Sequence, residues 1–145
     1  MTARQLVVLA AGGSAALLLG AWAFQLAGYA PCTMCLWQRW PHAAAVAIGI
    51  VAYASPVAAW LGAAAAATTS GIGVFHTGVE RGWWEGPSSC TGGGALTGDL
   101  LSTDIPDIVM CDEVAWSLAG LSMASWNALA SAALVLIWIA AARRA

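Results

Sequence analysis

"LVVLAAGGSAALLLGAWAFQLA", Leu6 to Ala27, runs for twenty-two residues without a charged side chain. A helix needs about 20 apolar residues to cross roughly 30 Å of hydrocarbon, so this segment is long enough to span a bilayer. It is too long for the apolar core of a secretory signal, although Ala21-Trp22-Ala23 has the small-residue pattern of a cleavage site. We read it as a retained membrane span.

The rest of the chain agrees with that start. Of 145 residues 61% are hydrophobic and 8% are charged, with nine Trp and no Lys, which leaves too little polar surface to coat a soluble globule. Without a basic patch to neutralise phosphates, nucleic acid is not a partner. Three more apolar segments follow, at about 36–54, 57–79 and 120–142. Pro56 marks a tight turn between the second and third, and Pro41 is expected to kink a helix that begins before Trp37 and places Arg39 near the membrane surface. The runs of Ala and Gly, such as Ala63 to Ala67, suit close helix packing. The expected fold is all-α: a single integral membrane domain over 1–145, built as a four-transmembrane-helix bundle with two Cys-bearing extracytoplasmic loops. The longer loop, about 80–116, is rich in Gly, Ser, Pro and acid. Polar and apolar residues alternate at helical spacing from about Asp112 to Ser122, which predicts an interfacial helix before the last span.

Four spans place both termini on one side and all four cysteines on the other. Arg4, Arg143 and Arg144 lie at the ends, against Arg39 and Arg81 opposite, so positive-inside counting favours cytoplasmic termini. Tyr29, Trp37, Trp40, Trp83, Trp84 and Trp116 would form the outer aromatic belt, and Tyr53, Trp60 and Trp138 the inner one. The outward face of a bacterial inner membrane permits disulfides.

Cys32 and Cys35 form a C-x-x-C, with Pro31 placed to begin a helix. A thiolate at a helix N-terminus gains from the macrodipole, and Arg39, four residues beyond Cys35, would favour a Cys35 thiolate. Cys111 precedes Asp112 and Glu113, whose charges disfavour its thiolate and make it the better nucleophile once ionised. These local charges suggest that Cys111 attacks Cys32 and that Cys35 departs. Cys90, in "GPSSCTGGG", is expected in flexible, exposed backbone open to a protein partner.

Other chemistries use some of the same residues. Two purely structural disulfides, Cys32–Cys35 and Cys90–Cys111, would need all four cysteines, but a C-x-x-C loop is too short to staple much. A four-cysteine zinc site wants a second knuckle, which the Cys90 and Cys111 spacing does not supply, so no metal is expected. Covalent haem fails because Leu36 stands where C-x-x-C-H needs His. His42 and His76 would be the ligands of a non-covalent haem in a membrane electron carrier.

Taken together, "CTMCLWQR", the separated second Cys pair, "HTGVERGWW" before it and "GLSMASWN" after it resemble the DsbB family of bacterial disulfide-bond formation proteins. Vitamin K epoxide reductase-like proteins share the quinone, a four-helix core and two Cys pairs, but there the loop pair precedes the C-x-x-C. The resemblance implies a quinone-dependent oxidant of a periplasmic thioredoxin-fold protein similar to DsbA, with ubiquinone or menaquinone as cofactor. It implies that the partner attacks Cys90 in a Cys90–Cys111 disulfide and that Cys111 then attacks Cys32. Cys35 is freed to engage the quinone, with Arg39 on a quinone oxygen and His76 near the quinone site. A DsbA-like partner is itself a strong oxidant, so its re-oxidation requires a stronger terminal acceptor. Trp37 stands where many members have Tyr.

Overall fold

The computed structural model describes residues 1–91 and 109–145; residues 92–108, the middle of the long loop read from the sequence, lie outside the described residues. Four long helices pack so that each touches its two neighbours around a ring: α1 (Ala3–Leu26), α2 (Thr33–Ala54), α3 (Ala59–Glu80) and α4 (Met123–Ala142).

Local chemistry sets the helix ends. At the start of α1, Thr2 and Gln5 cap each other reciprocally, which satisfies two backbone N–H groups that would otherwise lack partners. Its other end closes in a Schellman motif: Gly28 takes φ 103°, and Tyr29 N–H donates to the Phe24 carbonyl at 3.1 Å. The same motif ends α3, where Gly82 has φ 67° and Trp83 N–H donates to Gly78 at 2.8 Å. Pro56 opens a single 3₁₀ turn, Pro56–Ala58, that runs straight into α3. α2 continues across Pro41. Pro31 lies just before the helix cap rather than at the first helical position, so the cap itself is Cys32.

Among the described residues, three helical stretches, Ala3–Leu26, Pro56–Glu80 and Met123–Ala142, are long and apolar enough to cross a membrane by length and composition. α2 is of similar length, but Gln38 and His42 in its first half turn inward and are buried. Its outer face carries Leu36, Ile50 and Val51, all exposed, as lipid-facing residues are.

Two expectations are corrected here. The stretch before α4 contains no interfacial helix. It folds as a small antiparallel hairpin, β1 (Ser117–Leu118) with β2 (Leu121–Ser122), turning through Ala119 and Gly120 at φ 52° and 77°. Two successive left-handed residues give the turn whose twist suits a two-residue hairpin and stop any helix from passing through. Ser122 then caps α4, accepting from Ser125 N–H at 3.2 Å. Trp138 also leaves the inner belt: its ring is fully buried in the core shared by all four helices, with Leu6, Val7, Ala10, Ala52, Ala63 and Leu134. Glycine makes room for it. A Cβ built at Gly62 would come within 2.5 to 2.6 Å of three Trp138 ring atoms. Tyr53 and Trp60 stay exposed at that end, where the Arg4 guanidinium lies 5.5 Å from the Tyr53 ring centroid.

Candidate active site

At the opposite end, a second buried cluster gathers Cys32, Met34, Val79, Cys90 and Cys111, with Cys35 and Val109 packed against it. Cys90 and Cys111 form a disulfide, whereas Cys32 and Cys35 are free. Cys90 is therefore not in exposed backbone: it is 1% exposed, held down by its bond to Cys111 and by contact with the apolar ends of α2 and α3. The acidic neighbours of Cys111, Asp112 and Glu113, are exposed, while Cys111 itself is buried.

Cys32 caps α2 with its sulfur. Cys35 N–H donates to Cys32 Sγ at 3.2 Å, Cys35 Sγ lies 2.8 Å away, and His76 Nε2 lies 3.6 Å away. Donors thus converge on Cys32, and its thiol is drawn from an ordinary 9.0 down to about 4. The hydrogen bond from the Cys35 thiol lowers it most, burial opposes, and the His76 hydrogen bond adds to the lowering. Cys35, also ahead of the apolar segment 36–54, is shifted upward because it donates to Cys32 and because it is buried. The expected acidity is reversed in direction: the Cys35 N–H and His76 beside its sulfur favour the thiolate on Cys32 over Cys35. The reason is visible in Arg39, which does not turn to Cys35. Its Nη1 donates to Gln25 Oε1 at 2.8 Å and its Nη2 to the Ala21 carbonyl at 3.3 Å, clamping α2 to α1.

Below the sulfurs lies a polar layer that the sequence reading missed. Gln38 Nε2 meets the Met34 carbonyl at 3.2 Å and His76 Nδ1 at 3.0 Å. Asn127 Nδ2 donates to Gln38 Oε1 at 2.6 Å, and His42 Nε2 lies 2.9 Å from Asn127 Oδ1. Thr69 and Ser131 complete the layer. Gln38 and Asn127 are ordinary polar residues in apolar helices, so their one signal was an amide at membrane depth, which is costly unless paired. His42 and His76 share this layer, both engaged by side-chain amides, and His76 Nε2 also lies 3.8 Å from Glu80 Oε1. Glu80 in turn accepts from Ser122 Oγ at the foot of the hairpin. Cys32, Cys35 and His76 present ligand atoms within 4.8 Å of one another, a geometry that a thiophilic metal could also use. Yet Gln38 Nε2 also donates to the Met34 carbonyl, which orients it as a donor to His76 Nδ1. The proton is thereby placed on His76 Nε2, directed at Cys32.

Beside the dithiol opens a cavity of about 430 Å³, walled by all four helices and the segment 109–118. Its lining is mainly apolar, with Leu17, Phe24, Trp116 and Trp126, and the polar exceptions include Cys32, Cys35, Arg39, His42 and His76. Two lining residues hold buried polar atoms with no hydrogen-bond partner among the described residues, Arg39 Nε and His42 Nδ1. An apolar slot with a few unmatched polar atoms beside a dithiol suits a flat apolar ring bearing oxygens. A quinone fits this description.

Comparison with known proteins shows the family to which the chain belongs. The family model "Disulfide bond formation protein DsbB" matches residues 3–141. A "Disulfide bond formation protein B" of Verminephrobacter eiseniae (strain EF01-2) is 33% identical, over 94% of this chain and 84% of that protein. No solved structure is significantly similar to the chain. With the four-helix frame, the C-x-x-C at the mouth of α2 and the second cysteine pair bonded beside it, the chain belongs to the DsbB family of disulfide bond formation proteins.

Proposed function

We propose that this protein is a membrane thiol oxidase that re-oxidises a DsbA-like, thioredoxin-fold protein of the periplasm and passes the electrons to ubiquinone or menaquinone. One observation carries the reading: the Cys32–Cys35 dithiol packs against a disulfide and also lines an apolar cavity. It is a single membrane unit of the bacterial inner membrane, with cytoplasmic termini and periplasmic cysteines, a placement supported by the terminal arginines.

In the cycle, a partner thiolate attacks Cys90, forming a mixed disulfide and releasing Cys111. The Cys111 thiolate attacks Cys32 of an oxidised Cys32–Cys35 pair, and Cys35 leaves and takes up a proton. The partner's second thiol then displaces Cys90, whose thiolate breaks Cys32–Cys111 and restores Cys90–Cys111. Cys32 and Cys35 are left reduced, which is the arrangement described above. A quinone bound in the cavity supplies an acceptor of two electrons and two protons. Overall, a partner dithiol and a quinone become a partner disulfide and a hydroquinone. Arg39, through Nε, would hold a ring oxygen. His76 lines the cavity but engages Gln38 and Cys32, so its role is to steady the Cys32 thiolate. Because Cys90 is buried, the partner's attack requires local opening of its loop.

The test is quinone absorbance during mixing of detergent-purified protein with a reduced DsbA-like protein, with ubiquinone and menaquinone in separate reactions. We expect turnover that needs the partner, the quinone and Cys35, and that Cys35→Ser abolishes without loss of helical content. Equal turnover by Cys35→Ser would sink the proposal.

A further inference from the structure

The hydrogen-bond directions in the polar layer follow from one backbone atom. The Met34 carbonyl can only accept, so the Gln38 atom facing it at 3.2 Å is the amide nitrogen, which also donates to His76 Nδ1. Gln38 Oε1 is then free to accept from Asn127 Nδ2 at 2.6 Å, and the other Asn127 N–H goes to Thr69 Oγ1 at 3.2 Å. Both Asn127 hydrogens being used, its Oδ1 must accept. His42 Nε2, 2.9 Å away, therefore carries the hydrogen. A neutral His42 has its lone pair at Nδ1, and this atom is buried without a partner in a cavity-lining side chain only 3% exposed. Three residues earlier, on the same side of α2, Arg39 Nε is the other buried polar atom on the cavity wall without a partner among the described residues, and it is a donor.

We propose that His42 Nδ1 accepts a hydrogen bond from a ring hydroxyl of the reduced ligand, so that the cavity prefers a hydroquinone to the corresponding quinone. Quinone oxygens only accept. They suit the Arg39 donor but leave the His42 lone pair buried and unmatched. A hydroquinone hydroxyl donates to His42 and its oxygen still accepts from Arg39. Tighter binding of the reduced form makes electron transfer from the Cys32–Cys35 dithiol more favourable, by linkage between binding and reduction. His42 would touch the ligand, and Asn127 is a positioning residue that sets the His42 tautomer. The proposal rests on the quinone-dependent reading above.

The test measures binding, not turnover. In a Cys35→Ser background, where the dithiol cannot reduce the probe, quenching of protein tryptophan fluorescence reports the dissociation constants of decylubiquinone and decylubiquinol, and of menadione and its hydroquinone. Trp116 and Trp126 line the cavity. The expected result is tighter binding of the hydroquinone by about tenfold, the size of one buried hydrogen bond made rather than missed. His42→Phe should erase most of that ratio. Asn127→Leu should erase or reverse it, because His42 is then free to carry its hydrogen at Nδ1. A background protein that binds both forms equally overturns the proposal, as does a ratio unmoved by either substitution, and in both cases the quinone-dependent reading stands. If no quinone or hydroquinone binds at all, both fail.

Discussion

The geometry that favours a Cys32 thiolate needs only three groups: the Cys35 N–H in the first turn of α2, the Cys35 thiol and His76. Ionisation of Cys32 should be visible as thiolate absorbance in the reduced protein, with a midpoint of about 4 rather than 9.0. A folded-state value below the unfolded one stabilises the fold fully above the ordinary thiol range, and that contribution disappears as pH falls through about 4. His76→Phe should move the Cys32 midpoint upward, because one donor is lost. An unchanged midpoint would show that His76 contributes nothing to the thiolate. The C-x-x-C was legible as redox chemistry from its spacing, but which sulfur ionises was not. Helical spacing put Arg39 on the face of Cys35, and the guanidinium instead reaches across to Gln25 and Ala21 on a different helix.

At the scale of the helices, their extents were readable and their contacts were not. Apolar runs and glycine or proline stops located the helices closely, since lipid forces every backbone group to pair within its own segment. The polar alternation around Ala119-Gly120 has helical spacing, but two consecutive left-handed residues exclude a helix there. The packing of α3 on α4 depends on Gly62 lying flat against Trp138. Gly62→Ala adds a methyl where no flexible tail can yield, so it should cost roughly 1–3 kcal/mol, seen as a lower thermal midpoint in detergent. Gly12→Ala, where the added Cβ meets nothing within 4 Å, serves as the control and should change little.

For the molecule as a whole, the Cys90–Cys111 disulfide ties the long loop to the helix ends across a separation of 21 residues. A cross-link of that span contributes on the order of 3 kcal/mol by restricting the unfolded chain. The Cys90→Ala/Cys111→Ala double variant should therefore keep its helical circular dichroism, because the larger core cluster between the four helices contains no loop residue. Limited proteolysis should then cut between residues 81 and 116 faster than in the parent protein. Equal cutting rates would show that the buried apolar cluster alone holds the loop.

The sequence by itself determined the class, the helices, the gathering of all four cysteines at one end and the family resemblance. Each is written in local terms: apolar length, charge placement, and cysteine spacing along the chain. Only the tertiary structure decided that Cys90 is buried and that the groups favouring a thiolate gather at Cys32 rather than Cys35. It also showed that Gln38, His42, Asn127 and His76 join in one layer. That layer links α2, α3 and α4 through residues as far apart as Gln38 and Asn127, 89 positions along the chain. Hydrogen bonds in an apolar interior are made by whichever polar groups the packing brings together, and no periodicity along a single helix encodes the partner on another.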